Sequence, residues 1–458
     1  MKAIARLSLV VVLFVVLAGC LGGGGDAPAR ERGDFSDPAK DRIGWENGYW
    51  YDESITVDQS DGLNDSEREV WLARSMARVE ELRQLEFKRP VTVEVISRTD
   101  HQNRSANQEG QGESKNRWND QVWESLFISE EGKPIEAEFN TVSGSAVLGY
   151  YRTGSDTIVI VSDTPDQLVV SNTTFIHELT HALQDQHFDL KKLQRNAKTQ
   201  DLQLAYNGLI EGEANYIEAL YSNRCASAEW ACVTTPATQS GGGNSDVNLG
   251  ILVTIFQPYS DGPWFIHKQV EAGGWDAVND LWKNPPTSSS EIIHVDPSVA
   301  PASVTVEDRA KNGWETFDEG SDTVGEASIF TMFWYQGRQY NISAIDTSSF
   351  GEKSGDFDTY DYRSPASTGW VGDAVLPYQK GGEYGYVWTT KWASENDASE
   401  FLSTYQTVLQ GHGAEEVRSG VWVIREGGFA DAFRIERDGT SVTVVNAPTV
   451  GDLSDLRP

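Results

Sequence analysis

The chain has 458 residues, 69 of them Asp or Glu and 37 Lys or Arg, for a formal net charge of −32. That balance excludes nucleic acid as a partner, because holding a phosphate backbone needs a basic footprint. An acidic, lysine-poor surface is what keeps a protein hydrated in concentrated salt, where screening lengths shrink to about 3 Å, and it points to a halophile.

Residues 1–20 read as an export signal: Lys2 and Arg6, an apolar run from Leu7 to Leu17, then the lipobox-like ending Leu17-Ala18-Gly19-Cys20. The run is short for a membrane span, so cleavage before Cys20 is expected, leaving a lipidated cysteine that holds the protein at the membrane surface outside the cell. An uncleaved anchor is the alternative. Residues 21–60, opening with Gly22 to Gly25, supply a flexible tether. Asn64 or Ser66 is placed to cap a helix over about 67–85, and Pro90 to Ile96 alternates as a strand. Residues 101–120, polar and without periodicity, are expected to form a long loop. Val147 to Tyr151 and Thr157 to Val161 form the two arms of a hairpin.

The next segment carries the chemistry. His177-Glu178-Leu179-Thr180-His181 is an HExxH sequence in a chain with only seven histidines. No Pro or Gly interrupts residues 171–190, so the motif lies on a helix. There His177 and His181 are about 40° apart on one face, able to reach one metal ion, with Glu178 beside them to take a proton from an activated water. This pattern looks like that of a zinc-dependent hydrolase, and the imidazole ligands favour Zn2+, one ion per chain.

A catalytic zinc needs a third protein ligand, and two candidates follow. His187 has the spacing of the third histidine of metzincins, but Gln184 stands where that family has the glycine that turns the chain back to the metal, and the only later methionine is Met332. His187 is therefore expected to be structural or to support a ligand. Glu211 lies in a second amphipathic segment, periodic in Leu204, Ile210, Ala214, Ile217 and Tyr221. With Glu211-Gly212-Glu213-Ala214 the chain resembles the gluzincins, zinc peptidases in which a Glu on a following helix completes the site. The resemblance implies His177, His181 and Glu211 as ligands, with Glu213 and Glu218 in reserve. Gly212 suggests close approach of helices, and Asn215, one turn beyond Glu211, is placed to fix a ligand histidine's tautomer.

The run from His177 to Phe188, with Pro258-Tyr259, Gly273-Gly274-Trp275, Pro285-Pro286, Ile293-His294 and Gly369 to Asp373, also resembles uncharacterised zincin-like surface proteins that include lipoproteins of halophilic archaea. That family implies a zincin-like core over 61–381 but carries no substrate class. In zincins an edge strand above the metal pairs with extended peptides, a role that falls here on Val147, Leu148, Gly149 and Tyr150. A donor to the oxyanion is expected from His294 or Tyr259.

Apart from Cys20, the only cysteines are Cys225 and Cys232, a pair able to close a loop beside the site in an oxidising compartment, with free thiols or additional zinc ligands as the alternatives. Helical segments follow near 249–256, 264–283 and 325–335. Residues 382–458, with strands near 384–391, 421–425, 429–437 and 441–445 and a helix over 397–409, suggest a separate small α+β unit. The sum is an α+β protein acting as a lipid-anchored, extracellular zinc metallopeptidase on a peptide or protein substrate. Two alternatives stay open: an inactive zincin-fold protein binding at the surface, and a solute-binding lipoprotein.

Overall fold

The computed structural model describes residues 36–106, 112–236, 247–296 and 301–457. The export signal and Cys20 lie outside the described residues. The architecture is α+β, with one small sheet beside the candidate site and one large sheet at the C-terminal end.

A short hairpin, β1 (Trp45–Glu46) and β2 (Tyr49–Trp50), packs on helix α1 (Asp65–Arg83). Asn64 and Glu67 form a reciprocal capping box at its start, and Gln84 ends it in the left-handed region. Strand β3 (Thr92–Ser97) follows as the alternation predicts. The expected loop over 101–120 is instead largely helical, with α2 (Arg98–Ala106) and α3 (Glu113–Ser125). Tertiary packing overrides composition in α3, where Trp118, Val122 and Trp123 form one buried stripe. Helix α4 (Ile135–Ala146) leads into the hairpin of β4 (Gly149–Arg152) and β5 (Thr157–Ser162). β5 also pairs in parallel with β3, giving the order β3-β5-β4 and leaving β4 at an edge.

The HExxH segment is helix α5 (Asn172–Phe188), followed by the short α6 (Leu190–Asn196) and by α7 (Gln200–Ala226), which carries Glu211. α5 buries Phe175, Ile176, Leu179, Ala182 and Leu183 against α1, β5 and α7, with Phe175 stacked on Trp71 at 4.5 Å. Each large apolar side chain so buried contributes about 1.5–3 kcal/mol, which offsets the several kcal/mol it costs to bury an ionisable group on the same helix.

The two helical segments expected near 249–256 and 264–283 form one long element, α8 (Leu249–Lys283), which runs through Pro258 and Pro263 and breaks only at Gly273 and Gly274. It crosses α7 at backbone contact. A Cβ on Gly212 would come 2.6 Å from the carbonyl carbon and oxygen of Gly262, and one on Gly262 would come 2.7 Å from the Gly208 oxygen. Gly212 thus does mark a close helix approach, with α8 as its partner. Helix α9 (Ser289–His294) packs Ile292 on Gly208.

The C-terminal sheet takes in β6 (Glu315–Thr316), β7 (Trp370–Lys380), β8 (Glu383–Trp392), β9 (Glu415–Arg418), β10 (Val421–Val423), β11 (Ala432–Asp438) and β12 (Ser441–Ala447), in the order β6-β7-β8-β12-β11-β10-β9. Helix α10 (Gly325–Gln339) leads into it, α11 (Glu395–Gly411) follows β8, and α12 (Leu453–Leu456) closes the chain. The expected boundary at 382 falls in the turn between β7 and β8, which are antiparallel partners. Residues 382–458 are therefore no separate unit: β7 completes their sheet, and Trp388, Phe401 and Phe433 share one core with Trp123 of α3 and Phe330 of α10.

Candidate metal centre

His177, Glu178 and His181 on α5 and Glu211 on α7 are all buried. His177 Nε2 lies 3.0 Å from His181 Nε2, and the two stand 3.2 and 3.3 Å from Glu211 Oε2. Three electron-pair donors packed this closely repel unless a proton or a metal cation lies among them. Ligands about 2.0–2.1 Å from a tetrahedral zinc are separated by about 3.3 Å, so the spacing suits such an ion.

The outer nitrogens fix the histidine tautomers. Gln184 Nε2 donates to the Ile210 carbonyl at 2.9 Å, which turns its Oε1 to His181 Nδ1, also at 2.9 Å. That Nδ1 therefore carries the proton, leaving the Nε2 lone pair for a cation. His177 Nδ1 faces Glu218 Oε2 at 3.4 Å, an ion-pair contact outside hydrogen-bond geometry whose negative charge favours a proton on that nitrogen. Glu218, rather than the expected Asn215, fills this place because seven residues bring a helix within about 20° of two full turns, whereas four leave it about 40° off. Gln184 also latches α5 to α7 beside the third ligand. Its signal in the sequence was its position one turn after His181.

Burial works against charge on His177, but the Glu211 and Glu218 carboxylates win and hold its pKa up to about 10. Burial likewise works against ionised Glu211, yet the two histidines pull it down to about 2. The set is thus poised as two imidazoles sharing a carboxylate and is unsuited to a neutral core. Glu178 is different. Burial raises its pKa, and neither carboxylate oxygen has a hydrogen-bond partner of ordinary geometry, although the Tyr151 backbone N–H on β4 lies near enough to favour the charged form. A fully buried carboxylate with no partner is costly, and here it adjoins the place where a reacting water would sit.

Tyr259 on α8 completes the group. Its hydroxyl hydrogen-bonds Glu211 and lies close to Glu178, and burial followed by those two carboxylates keeps it protonated well above the ordinary tyrosine range. It reaches the site because the Gly262–Gly212 contact clamps α8 onto α7 one turn away. His294, the other expected donor, is not in the centre: it ends α9 and binds Glu326 on α10 at 2.8 Å. His187 donates to the Glu86 carbonyl at 2.8 Å, since an unbroken helix carries it away from His177. Glu213 binds Arg83 at 2.5 Å and Trp282 Nε1 at 2.6 Å and braces helices instead of serving as a ligand.

β4 runs beside α5, with Gly149 against Thr174 and Tyr151 and Gly154 both hydrogen-bonded to Asp185 of α5. Of the four residues expected to meet a substrate, Val147 and Gly149 are buried, Tyr150 is half-buried and Leu148 is exposed. Cys225 and Cys232 are disulfide-bonded. The loop they close lies beside α1, not the metal centre: Arg74 and Arg78 both donate to the Ala231 carbonyl at 2.9 Å, and Glu211 is 14 residues, about 21 Å of helix, from Cys225.

A family described as a domain of unknown function (DUF8575) matches residues 310–457, which hold the large sheet and leave out the metal centre. No curated protein matches the chain.

Proposed function

We propose that this protein is a zinc-dependent peptidase of the HExxH…Glu, gluzincin-like kind, with a zincin-like core made of the β3-β5-β4 sheet, α5 and α7. The observation that carries the reading is the convergence of His177 Nε2, His181 Nε2 and Glu211 Oε2 within 3.3 Å of one another, their outer partners in place and Glu178 unpartnered beside them. Bound zinc supplies Lewis acidity, which polarises a carbonyl and brings the pKa of water down toward about 7. Glu178 takes the proton of the attacking water and passes it to the leaving nitrogen. The Tyr259 hydroxyl donates to the oxygen that gains charge, a role its raised pKa suits. The open edge of β4 receives an extended chain by backbone pairing.

In this reading the signal-like run of residues 1–20 and Cys20 support a lipid-anchored location outside the cell. Among the described residues no helix is long and apolar enough to cross a membrane.

The test is metal content per chain of protein purified in high salt, beside its variants. One zinc is expected in the parent, with none in His177→Ala or Glu211→Ala. Glu178→Gln is expected to keep the metal and lose about 10²–10⁴-fold in peptide hydrolysis. A parent that takes up no metal, or a Glu178→Gln protein as active as the parent, sinks the proposal.

A further inference from the structure

Few large hydrophobic side chains are exposed among the described residues, and two of them are Leu148 (39%) just before β4 and Leu249 (40%) at the start of α8. Leu249 begins a stripe. Spaced by three, four and three residues, Leu249, Leu252, Phe256 and Tyr259 share one face of α8. All four keep some exposure, while Ile251, Val253, Thr254, Gln257 and Pro258 between them are buried. The stripe ends at Tyr259, whose hydroxyl meets Glu211 and whose ring stacks on Phe256 at 6.0 Å.

Along this stripe lies a cavity of about 370 Å³, walled by Leu252, Phe256, Trp334, Phe350 and Tyr360. Phe350 stacks on Tyr360 at 4.4 Å and meets Trp334 at 4.9 Å, so the far wall is aromatic. One charged residue, Arg338, also lines it. Its guanidinium lies 6.0 Å from the Trp334 ring centre, and it has no carboxylate partner among the described residues. In a chain with 69 acidic residues, such an arginine at an apolar pocket is itself informative. Its complement is a bulky apolar group with a carboxylate next to it.

We propose that this cavity is a substrate subsite, resting on the peptidase reading above, and that it takes a large apolar side chain followed by Asp or Glu within a polypeptide. The apolar walls exclude a charged side chain, whose burial unpaired costs several kcal/mol. Arg338 selects the acidic neighbour by a charge-assisted hydrogen bond. From Tyr259 to Leu252 is seven residues, about 10 Å of helix, which an extended chain spans in about three residues. The apolar residue therefore sits about three positions from the bond that is cut. The cavity is a specificity site, apart from the catalytic machinery.

The test uses the full chain with end-capped decapeptides carrying Phe-Glu, Ala-Glu or Phe-Gln, and a fourth ending in Phe with a free carboxylate. Cleavage sites and kcat/KM are read by mass spectrometry, and binding by the fluorescence of Trp334 and its neighbours. Phe-Glu is expected to exceed Ala-Glu by about 10-fold or more in both readouts, with cleavage about three residues away. Leu252→Glu is expected to bring that ratio near one, and Arg338→Gln to erase the preference for Phe-Glu over Phe-Gln while leaving Phe over Ala. Leu249→Glu, at a more exposed position, repeats the first test should Leu252→Glu fold poorly. Cleavage without any Phe preference overturns the subsite and leaves the peptidase standing. Phe-selective binding without cleavage does the reverse. A better response to the free C-terminal carboxylate than to the internal Glu overturns the internal-segment occupant, and no binding with no cleavage overturns both proposals.

Discussion

Replacing Gly212 by alanine tests the geometry that assembles the centre. In an isolated helix interior this change stabilises by about 1 kcal/mol. Here the added Cβ would lie 2.6 Å from the carbonyl carbon and oxygen of Gly262 and 2.8 Å from its Cα, all backbone atoms that cannot rotate aside. α7 and α8 must part, and overpacking of this kind costs about 1–3 kcal/mol or more, so the intrinsic gain is outweighed. The shift falls beside Glu211, and on α8 it moves the segment that brings Tyr259 to that ligand. The expected result is a fall of several degrees in Tm together with weaker zinc affinity, read by calorimetry and by chelator competition. Gly208→Ala is the comparison: the atoms nearest its Cβ would all belong to the Ile292 side chain, the closest at 2.8 Å, which has some freedom to repack. A Gly212→Ala protein that melts no lower than the parent and binds zinc as tightly would refute the close α7–α8 contact and the placement of Tyr259 that depends on it.

Gln184→Leu and Glu218→Gln are each expected to weaken zinc binding by about 10–100-fold while every ligand stays in place, as titration against a competing chelator would register. Removing the disulfide with Cys225→Ser and Cys232→Ser frees a small loop and is expected to cost about 2–3 kcal/mol in denaturant unfolding, with zinc content unchanged because the bridge lies about 21 Å of helix from Glu211; zinc loss without unfolding would contradict that separation. Stability should also depend on pH in an unusual direction. Burial holds Asp201 and Asp322 up to about 7 and Glu80 up to about 9, so the folded state binds more protons than the unfolded one from about pH 4 upward, and each such group makes stability fall as pH rises through that window. Glu211, pulled down to about 2, acts oppositely and only below its ordinary range. The Tm of metal-free protein should therefore peak near pH 4–5 and decline toward pH 8; a steady rise to pH 8 would count against these buried carboxyls.

How much of this was legible from the chain depends on how local each signal is. HExxH lies within one helix, so the closeness of His177, Glu178 and His181 follows from spacing alone. Glu211 needed a resemblance, because 30 residues separate it from His181 and only the packing of α7 on α5 brings them together. His294 and Tyr259 were indistinguishable in the sequence. Their fates diverge through Gly208, Gly212 and Gly262, which bring α8 to the metal centre and turn α9 toward Glu326. The 382 boundary failed for a similar reason. β7 is buried over most of its length and shows no alternation, so its pairing with β8 could not be read from periodicity. In α3 the polar run up to Asn116 hid a helix whose partners, among them Phe330, lie some 200 residues on.

The net charge of −32 and the metal centre stand in an instructive relation. Three carboxylates, Glu178, Glu211 and Glu218, surround two imidazoles, so the group attracts a cation, and without one the carboxylates hold protons on the histidines. On an exposed surface that attraction would be lost in molar salt, where charges more than about 3 Å apart cease to interact. Here His177, His181, Glu178 and Glu211 are buried, so mobile ions cannot come between them. Surface acidity and core acidity therefore serve separate ends. The first is screened by dissolved salt, which damps its own repulsion, while the second is shielded from salt and is neutralised only by a proton or an ion that reaches the buried side chains. A protein built this way is expected to hold its metal over a salt range in which its overall stability changes greatly, because the two charge sets are screened so differently.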